Sequence, residues 1–111
     1  MSSDNLGMEF EPRIIQSVMK SGGKKKLDVL LNLFKAEAPQ RAEEIATAAD
    51  EIEAKAAARV LKSSAGNLGL LGLEDLCDQI LAGGNFKALA PQVKAALNGS
   101  LRYLESQRKA L

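Results

Sequence analysis

Apolar residues recur along most of the chain at steps of three and four residues, the spacing that places side chains on one face of an α-helix. The first segment has Ile14, Ile15, Val18 and Met19, and the next runs from Leu27 to Ala48. Later segments carry the sets Ala57, Leu61, Ala65, Leu68; Leu73, Leu76, Cys77, Ile80, Leu81; and Val93, Leu97, Leu101, Leu104. No useful period-two segment occurs. The pattern predicts an all-α, antiparallel four-helix bundle with a short extra N-terminal helix.

Capping and helix-breaking residues indicate where these helices begin and end. The short helix is expected to begin near Pro12 and to end at Ser21-Gly22-Gly23. A long helix follows from about Lys24, with a bend at Pro39. Asp50 is the expected N-cap of a third helix over residues 51–68. Gly83-Gly84 should end the fourth helix, and the last should begin near Pro91.

The length of 111 residues is typical of one domain. Apolar residues make up 46% and charged residues 26%, which is close to the globular average. We expect a flexible N-terminus over residues 1–9 and a helical domain over residues 10–111. The sequence shows no signal peptide and no membrane-length apolar stretch, so a cytoplasmic protein without membrane contact is expected.

Charge argues against a nucleic-acid partner. Fifteen basic and fourteen acidic residues give a net charge of +1, whereas nucleic-acid binders usually show a marked basic excess. The one dense basic run, Lys24-Lys25-Lys26, is interpreted as a solvated helix end.

The counts of histidine and cysteine exclude several kinds of site. The chain has no histidine and one cysteine, Cys77. An intramolecular disulfide, a zinc site of nitrogen and sulfur ligands, and a Ser-His-Asp or Cys-His catalytic pair are therefore impossible within it. Cys77 lies on an apolar stripe and is expected to be buried. We expect no enzymatic activity, no metal and no cofactor.

The third helix carries the most informative pattern. Its expected buried stripe is Ala57, Leu61, Ser64, Ala65 and Leu68, and its outward stripe is Lys55, Arg59, Lys62 or Ser63, and Gly66. Gly69 follows as a helix end. The segment from Ala58 to Gly69 reads Ala-Arg-Val-Leu-Lys-Ser-Ser-Ala-Gly-Asn-Leu-Gly.

This segment resembles the signature of the histidine phosphotransfer (HPt) domain family, roughly Ala-His-x-Leu-Lys-Gly-Ser-Ala, then three residues, then Gly. Eight positions resemble the family in register: Ala58, Leu61, Lys62, Ser64, Ala65 and Gly69 match this pattern, and Asn67 and Leu68 are further matches among the three intervening residues. Two depart from it. Arg59 stands at the position of the family's phosphorylated histidine, and Ser63 stands at the position of its glycine.

The resemblance implies a phosphorelay protein, and the departures imply that it does not accept phosphate. Imidazole has a nucleophilic nitrogen near neutral pH, whereas the guanidinium of Arg59 stays protonated and has no free lone pair. The partner implied is the receiver domain of a response regulator, or a hybrid sensor kinase. The partner-binding residues implied are Lys55, Arg59, Lys62, Ser63, Gly66 and Gly69. We expect a monomer.

Two alternatives remain open at this point. The chain could be a competent phosphotransfer protein whose histidine has been substituted at position 59. It could also be a structural or dimerising helical bundle, in which Arg59 and Lys62 form an ordinary solvated helix face.

Overall fold

Four helices contain nearly all the residues that the structure describes. The computed structural model describes residues 9–110, which form α1 (Pro12–Thr47), α2 (Glu51–Gly66), α3 (Leu71–Leu81) and α4 (Phe86–Ala110), with no strand among them. The prediction of an all-α fold is thus confirmed. Residues 1–8, most of the predicted flexible N-terminus, lie outside the described residues, as does Leu111.

A break at Gly23 divides α1 into the predicted short helix and the long helix after it. Gly23 has a φ of 71° and a ψ of −170°, the non-helical angles inside α1. Pro12 occupies the first turn, and the Glu11 side chain caps the helix by accepting a hydrogen bond from the Arg13 N–H at 3.1 Å. Pro39 is exposed, and the backbone angles remain helical there.

Capping side chains determine where α2 and α4 begin. Asp50 caps α2 as predicted, since its carboxylate accepts from the Glu53 N–H at 2.9 Å. The expectation that α4 begins near Pro91 is wrong, because the Asn85 side chain accepts from the N–H groups of Lys87 and Ala88. This cap starts the helix at Phe86, and Pro91 lies inside it.

The helices surround one core in a ring, in which α1 contacts α2 and α4, and α3 contacts α2 and α4. Three ion pairs join α1 to α4: Asp28 with Arg108, Lys35 with Glu105, and Glu43 with Lys94. Their order reverses along α4, as an antiparallel helix pair requires. The antiparallel arrangement of the whole bundle remains a prediction. No helix among the described residues has both the length and the apolar content for a membrane crossing.

The segment before α1 closes the end of the bundle where α2 gives way to α3. The Glu11 N–H donates to the Gly69 carbonyl at 2.8 Å, and the Gly72 N–H donates to the Glu9 carbonyl at 3.0 Å. The Phe10 ring stacks on the Tyr103 ring with centroids 3.9 Å apart. Ile15 is fully buried. The segment before α1 is therefore attached to the connection between α2 and α3, to α3 itself and to α4.

Gly69 should be the least replaceable glycine in this contact. Its φ is +72°, and a Cβ there would lie 2.5 Å from the Glu11 carbonyl oxygen. Gly83 has a similar φ of +98° but open space around it. We expect Gly83→Ala to cost about 1–2 kcal/mol of backbone strain. Gly69→Ala should cost at least about 3 kcal/mol, because the backbone contact is added to the strain. Urea unfolding measures both, and equal losses would contradict the steric contact.

Cys77 is fully buried, as predicted, and burial raises the pKa of its thiol from 9.0 to about 12. Between about pH 9 and 12 the unfolded thiol loses a proton that the folded thiol keeps. The free energy of unfolding should therefore fall by up to about 1.4 kcal/mol per pH unit in this range. We expect Cys77→Ala to remove this part of the slope. Denaturant titrations at pH 8, 9, 10 and 11 test it, and identical slopes in both proteins would count against it.

Candidate functional site

The inner face of α2 consists almost entirely of small side chains. Its buried residues are Ala54, Ala57, Ala58, Leu61 and Ala65. Because alanine lets helix backbones approach closely, α2 lies near both α1 and α3. The remaining face is turned outward, and Arg59 is exposed at its centre.

The structure brings five of the six predicted partner-binding residues onto this outer face. Arg59 and Ser63 are exposed, whereas Lys55, Lys62 and Gly66 are half-buried. We call these five residues the α2 face. Gly69 does not share this surface, and its inclusion there is corrected. It is buried beneath the segment before α1, and its backbone contact with Glu11 accounts for its position.

The three cations of the α2 face differ in their partners. Lys55 forms an ion pair with Glu51 at 2.6 Å, one turn earlier on the same helix. Lys62 forms an ion pair with Asp78 of α3 at 2.5 Å, and this hydrogen bond raises the pKa of Lys62. Within residues 9–110 no acidic side chain pairs with Arg59. Arg59 is thus the cation of this face whose donors remain available to a bound partner.

Acidic residues of α3 border one side of the α2 face. A Cβ on Gly66 would lie 3.0 Å from Oε2 of Glu74, so glycine leaves room for that carboxylate. Glu74 also adds to the positive shift of the Lys62 pKa, after the larger effects of Asp78. The expected positive charge of Lys62 is therefore largely balanced by α3. The prediction that Lys62 adds positive charge for a partner is weakened for this reason.

An apolar groove borders the other side of the α2 face. It has a volume of about 130 Å³ and lies between α1 and α2. Its lining residues are Leu30, Leu33, Phe34, Glu37, Ser64, Asn67 and Leu68. Ser64, expected in the buried stripe, is half-buried and lines this groove. A second, more open hollow of about 450 Å³ lies between the same helices beside Ala56 and Val60.

Sequence reasoning missed two exposed apolar residues, Ile52 on α2 and Leu33 on α1. Ile52 is 79% exposed and precedes Arg59 by two helical turns on the same side of α2. Leu33 is 53% exposed at the rim of the groove. Both fall outside the three- and four-residue repeat that marks the core, and that mismatch was the available signal. Of the two, Leu33 adds to the apolar lining of the groove, which is the larger apolar feature of this part of the surface.

The α2 face offers no general base to activate a nucleophile. The chain contains no histidine, and Ser63, the exposed hydroxyl of the face, makes no side-chain hydrogen bond to a residue within the described range. Across residues 9–110 no group of three or more Cys, Asp or Glu side chains is arranged to hold a metal ion. The geometry can support recognition through charge and apolar contact.

Comparison with known proteins gives one match. The family model described as "Hpt domain" matches residues 29–107, which include the second half of α1, all of α2 and α3, and most of α4. No curated protein and no solved structure matches the chain significantly.

Arg59 should be dispensable for folding. Because it is exposed and without an ion pair among the described residues, Arg59→Ala should change the free energy of unfolding by less than about 0.5 kcal/mol. Leu61→Ala, on the buried side of the same helix, should cost about 2–5 kcal/mol. Urea unfolding of the two variants provides the comparison. A loss above about 1 kcal/mol for Arg59→Ala would show that this side chain has a structural role.

Proposed function

Since this chain belongs to the Hpt domain family, we propose that it is a phosphorelay signalling module that docks on a partner without accepting a phosphoryl group. The partner is the receiver domain of a response regulator, or a hybrid sensor kinase. Docking takes place through the α2 face together with the apolar groove between α1 and α2.

The position of Arg59 carries this proposal. Resemblance to the family pattern puts its phosphorylated histidine at position 59, and Arg59 stands there, exposed and without an ion pair among residues 9–110. A side chain at the same position therefore points to solvent with a fixed positive charge in place of an imidazole. The surrounding helix keeps the small buried residues that turn this position outward.

The apolar surroundings of Arg59 support a docking role. Protein interfaces combine an apolar centre with a polar rim. Here Leu33 and the groove supply apolar surface between α1 and α2, and Ile52 adds exposed apolar surface on the same side of α2 as Arg59. Arginine is also enriched among the residues that contribute most to binding energy. An exposed arginine on a helix that also borders apolar surface is consistent with docking.

The absence of phosphate acceptance follows from chemistry. Phosphoryl transfer through this site needs a neutral nitrogen with a lone pair, and guanidinium has none. No histidine elsewhere in the chain can replace it. Ser63 lacks the base that activates a hydroxyl.

Arg59 can act on a receiver in two ways. The receiver pocket is a cluster of carboxylates that binds magnesium and accepts phosphoryl on an aspartate. The guanidinium can pair with these carboxylates in place of the metal, or it can bind an aspartyl phosphate through two parallel hydrogen bonds. If the guanidinium pairs with the carboxylates in place of the metal, added magnesium should weaken receiver binding. If it binds the aspartyl phosphate, a phosphoryl analogue on the receiver should strengthen receiver binding.

The test is titration of a panel of receiver domains with the wild-type protein, Arg59→Ala and Arg59→Glu. We expect at least one receiver to bind. Arg59→Ala should weaken binding by about tenfold or more, and Arg59→Glu by more than that. Repeating the titrations with magnesium, and then with magnesium and beryllium fluoride, distinguishes the two roles of Arg59.

Lys87→Ala is the matched control, because Lys87 is an exposed cation on α4 without an ion pair among the described residues. It should leave binding unchanged. A panel in which no receiver or sensor kinase binds, or in which the arginine variants bind like wild type, would refute the proposal. Labelling of wild type by a phosphorylated receiver would refute the part that concerns phosphate.

A further inference from the structure

Charge is unevenly distributed over this nearly neutral molecule. Residues 18–35 and 101–110 contain eight cations and two carboxylates, whereas the remaining described residues contain seven cations and eleven carboxylates. The eight cations are Lys20, Lys24, Lys25, Lys26, Lys35, Arg102, Arg108 and Lys109. We call this set the basic corner.

The fold brings these two stretches of chain together. Arg108 of α4 forms an ion pair with Asp28 of α1 at 2.6 Å, and Lys35 of α1 forms one with Glu105 of α4. The pKa of Asp28 is lowered mainly by the hydrogen bond from Arg108, and further by the charges of Lys24 and Lys35. The two stretches thus meet where the long part of α1 begins and α4 ends, and the charges of Arg108 and Lys109 also act on Glu105 there.

Most of the cations in the basic corner have no acidic partner. Asp28 and Glu105, its two carboxylates, are already paired with Arg108 and Lys35. No ion pair within residues 9–110 involves the other six cations, and those six are exposed. Like charges collected in this way repel each other, so the surface is suited to an acidic partner.

The basic corner continues into the proposed docking surface. Lys25, Val29 and Leu33 follow at four-residue steps, which places them along one side of α1. Val29 is 56% exposed and Leu33 is 53% exposed. Leu33 then borders the groove that Ser64 and Asn67 of α2 complete. Exposed lysines and apolar side chains thus follow one another along α1 as far as the groove that α1 shares with α2.

The combination of exposed lysines with exposed apolar side chains favours one kind of acidic partner over another. Nucleic acid offers phosphates but little that matches exposed valine and leucine side chains beside the lysines. A folded protein offers both carboxylates and an apolar patch, and charged residues around an apolar centre are the usual arrangement of a protein interface. A protein domain with an acidic rim fits the whole surface.

We infer that the basic corner is a second contact region for the partner that docks at Arg59, and that it selects a partner whose docking surface has an acidic rim. This inference rests on the proposed function. Rim charges act mainly on the association rate and on its dependence on salt. The lysines therefore steer an acidic receiver domain towards the groove, while Arg59 and the apolar residues hold it there.

The experiment uses the receiver domain that binds wild type most tightly in the panel. Stopped-flow association is measured at 50, 150 and 500 mM NaCl for wild type, Lys25→Glu and Lys87→Glu. Lys25 and Lys87 are both exposed lysines without an ion pair in the described part of the chain, and both substitutions change the net charge equally. At 50 mM NaCl we expect Lys25→Glu to slow association by about fivefold more than Lys87→Glu, with the difference nearly gone at 500 mM.

Each outcome has a distinct meaning. If no partner binds wild type, the proposed function fails and the inference fails with it. If a receiver binds but the two variants associate at equal rates, the proposed function stands and the inference is overturned. It is also overturned if Lys25→Glu leaves receiver association unchanged and instead removes binding to phosphatidylglycerol vesicles or to mixed-sequence duplex DNA.

Discussion

The close packing of α2 between α1 and α3 is the constraint on which the rest of the structure depends. Four alanines and Leu61 form its buried face, so little side-chain volume separates α2 from its neighbours. A larger residue at Ala54 or Ala58, both fully buried, would push the helices apart. Because these contacts determine which side of α2 is buried, they also determine the rotation of α2 about its own axis. Arg59 must face outward, and Ser63 and Gly66 must lie near it.

The same constraint explains how much the sequence could predict. The alanine and leucine repeat identified the buried side of α2, and Asp50 and Gly23 marked real boundaries, because helix periodicity and caps are local properties. The predicted start of α4 is too late because Asn85 caps the helix through two side-chain hydrogen bonds that the sequence alone does not reveal, whereas proline is typical of a first helical turn. The antiparallel order of all four helices is a long-range property that local patterns indicate only indirectly.

The candidate site was harder to predict for a related reason. The positions of Lys55, Arg59 and Ser63 on the outer side of α2 follow from periodicity, but their ion pairs do not. Lys62 forms an ion pair with Asp78, which lies on another helix. Gly69 is buried by the segment that precedes α1. Both facts depend on contacts between residues far apart in the chain. Leu33 and Ile52 fall outside the core repeat, which marks them as candidates for exposure, but the groove that Leu33 lines depends on how α1 packs against α2.

Because position 59 is exposed, the residue type there can affect the chemistry of the site with little effect on the stability of the fold. A side chain that faces solvent and makes no ion pair with a described residue contributes little to folding, so the residue type there is free to be determined by binding. Arginine keeps a donor group at this point while removing the nucleophile. The groove and the exposed apolar residues beside it belong to the helix scaffold and are unaffected by that difference. The function we propose therefore needs only a docking surface on this bundle and no phosphoryl chemistry, and the selectivity we infer for it rests on the charges concentrated where α1 meets α4.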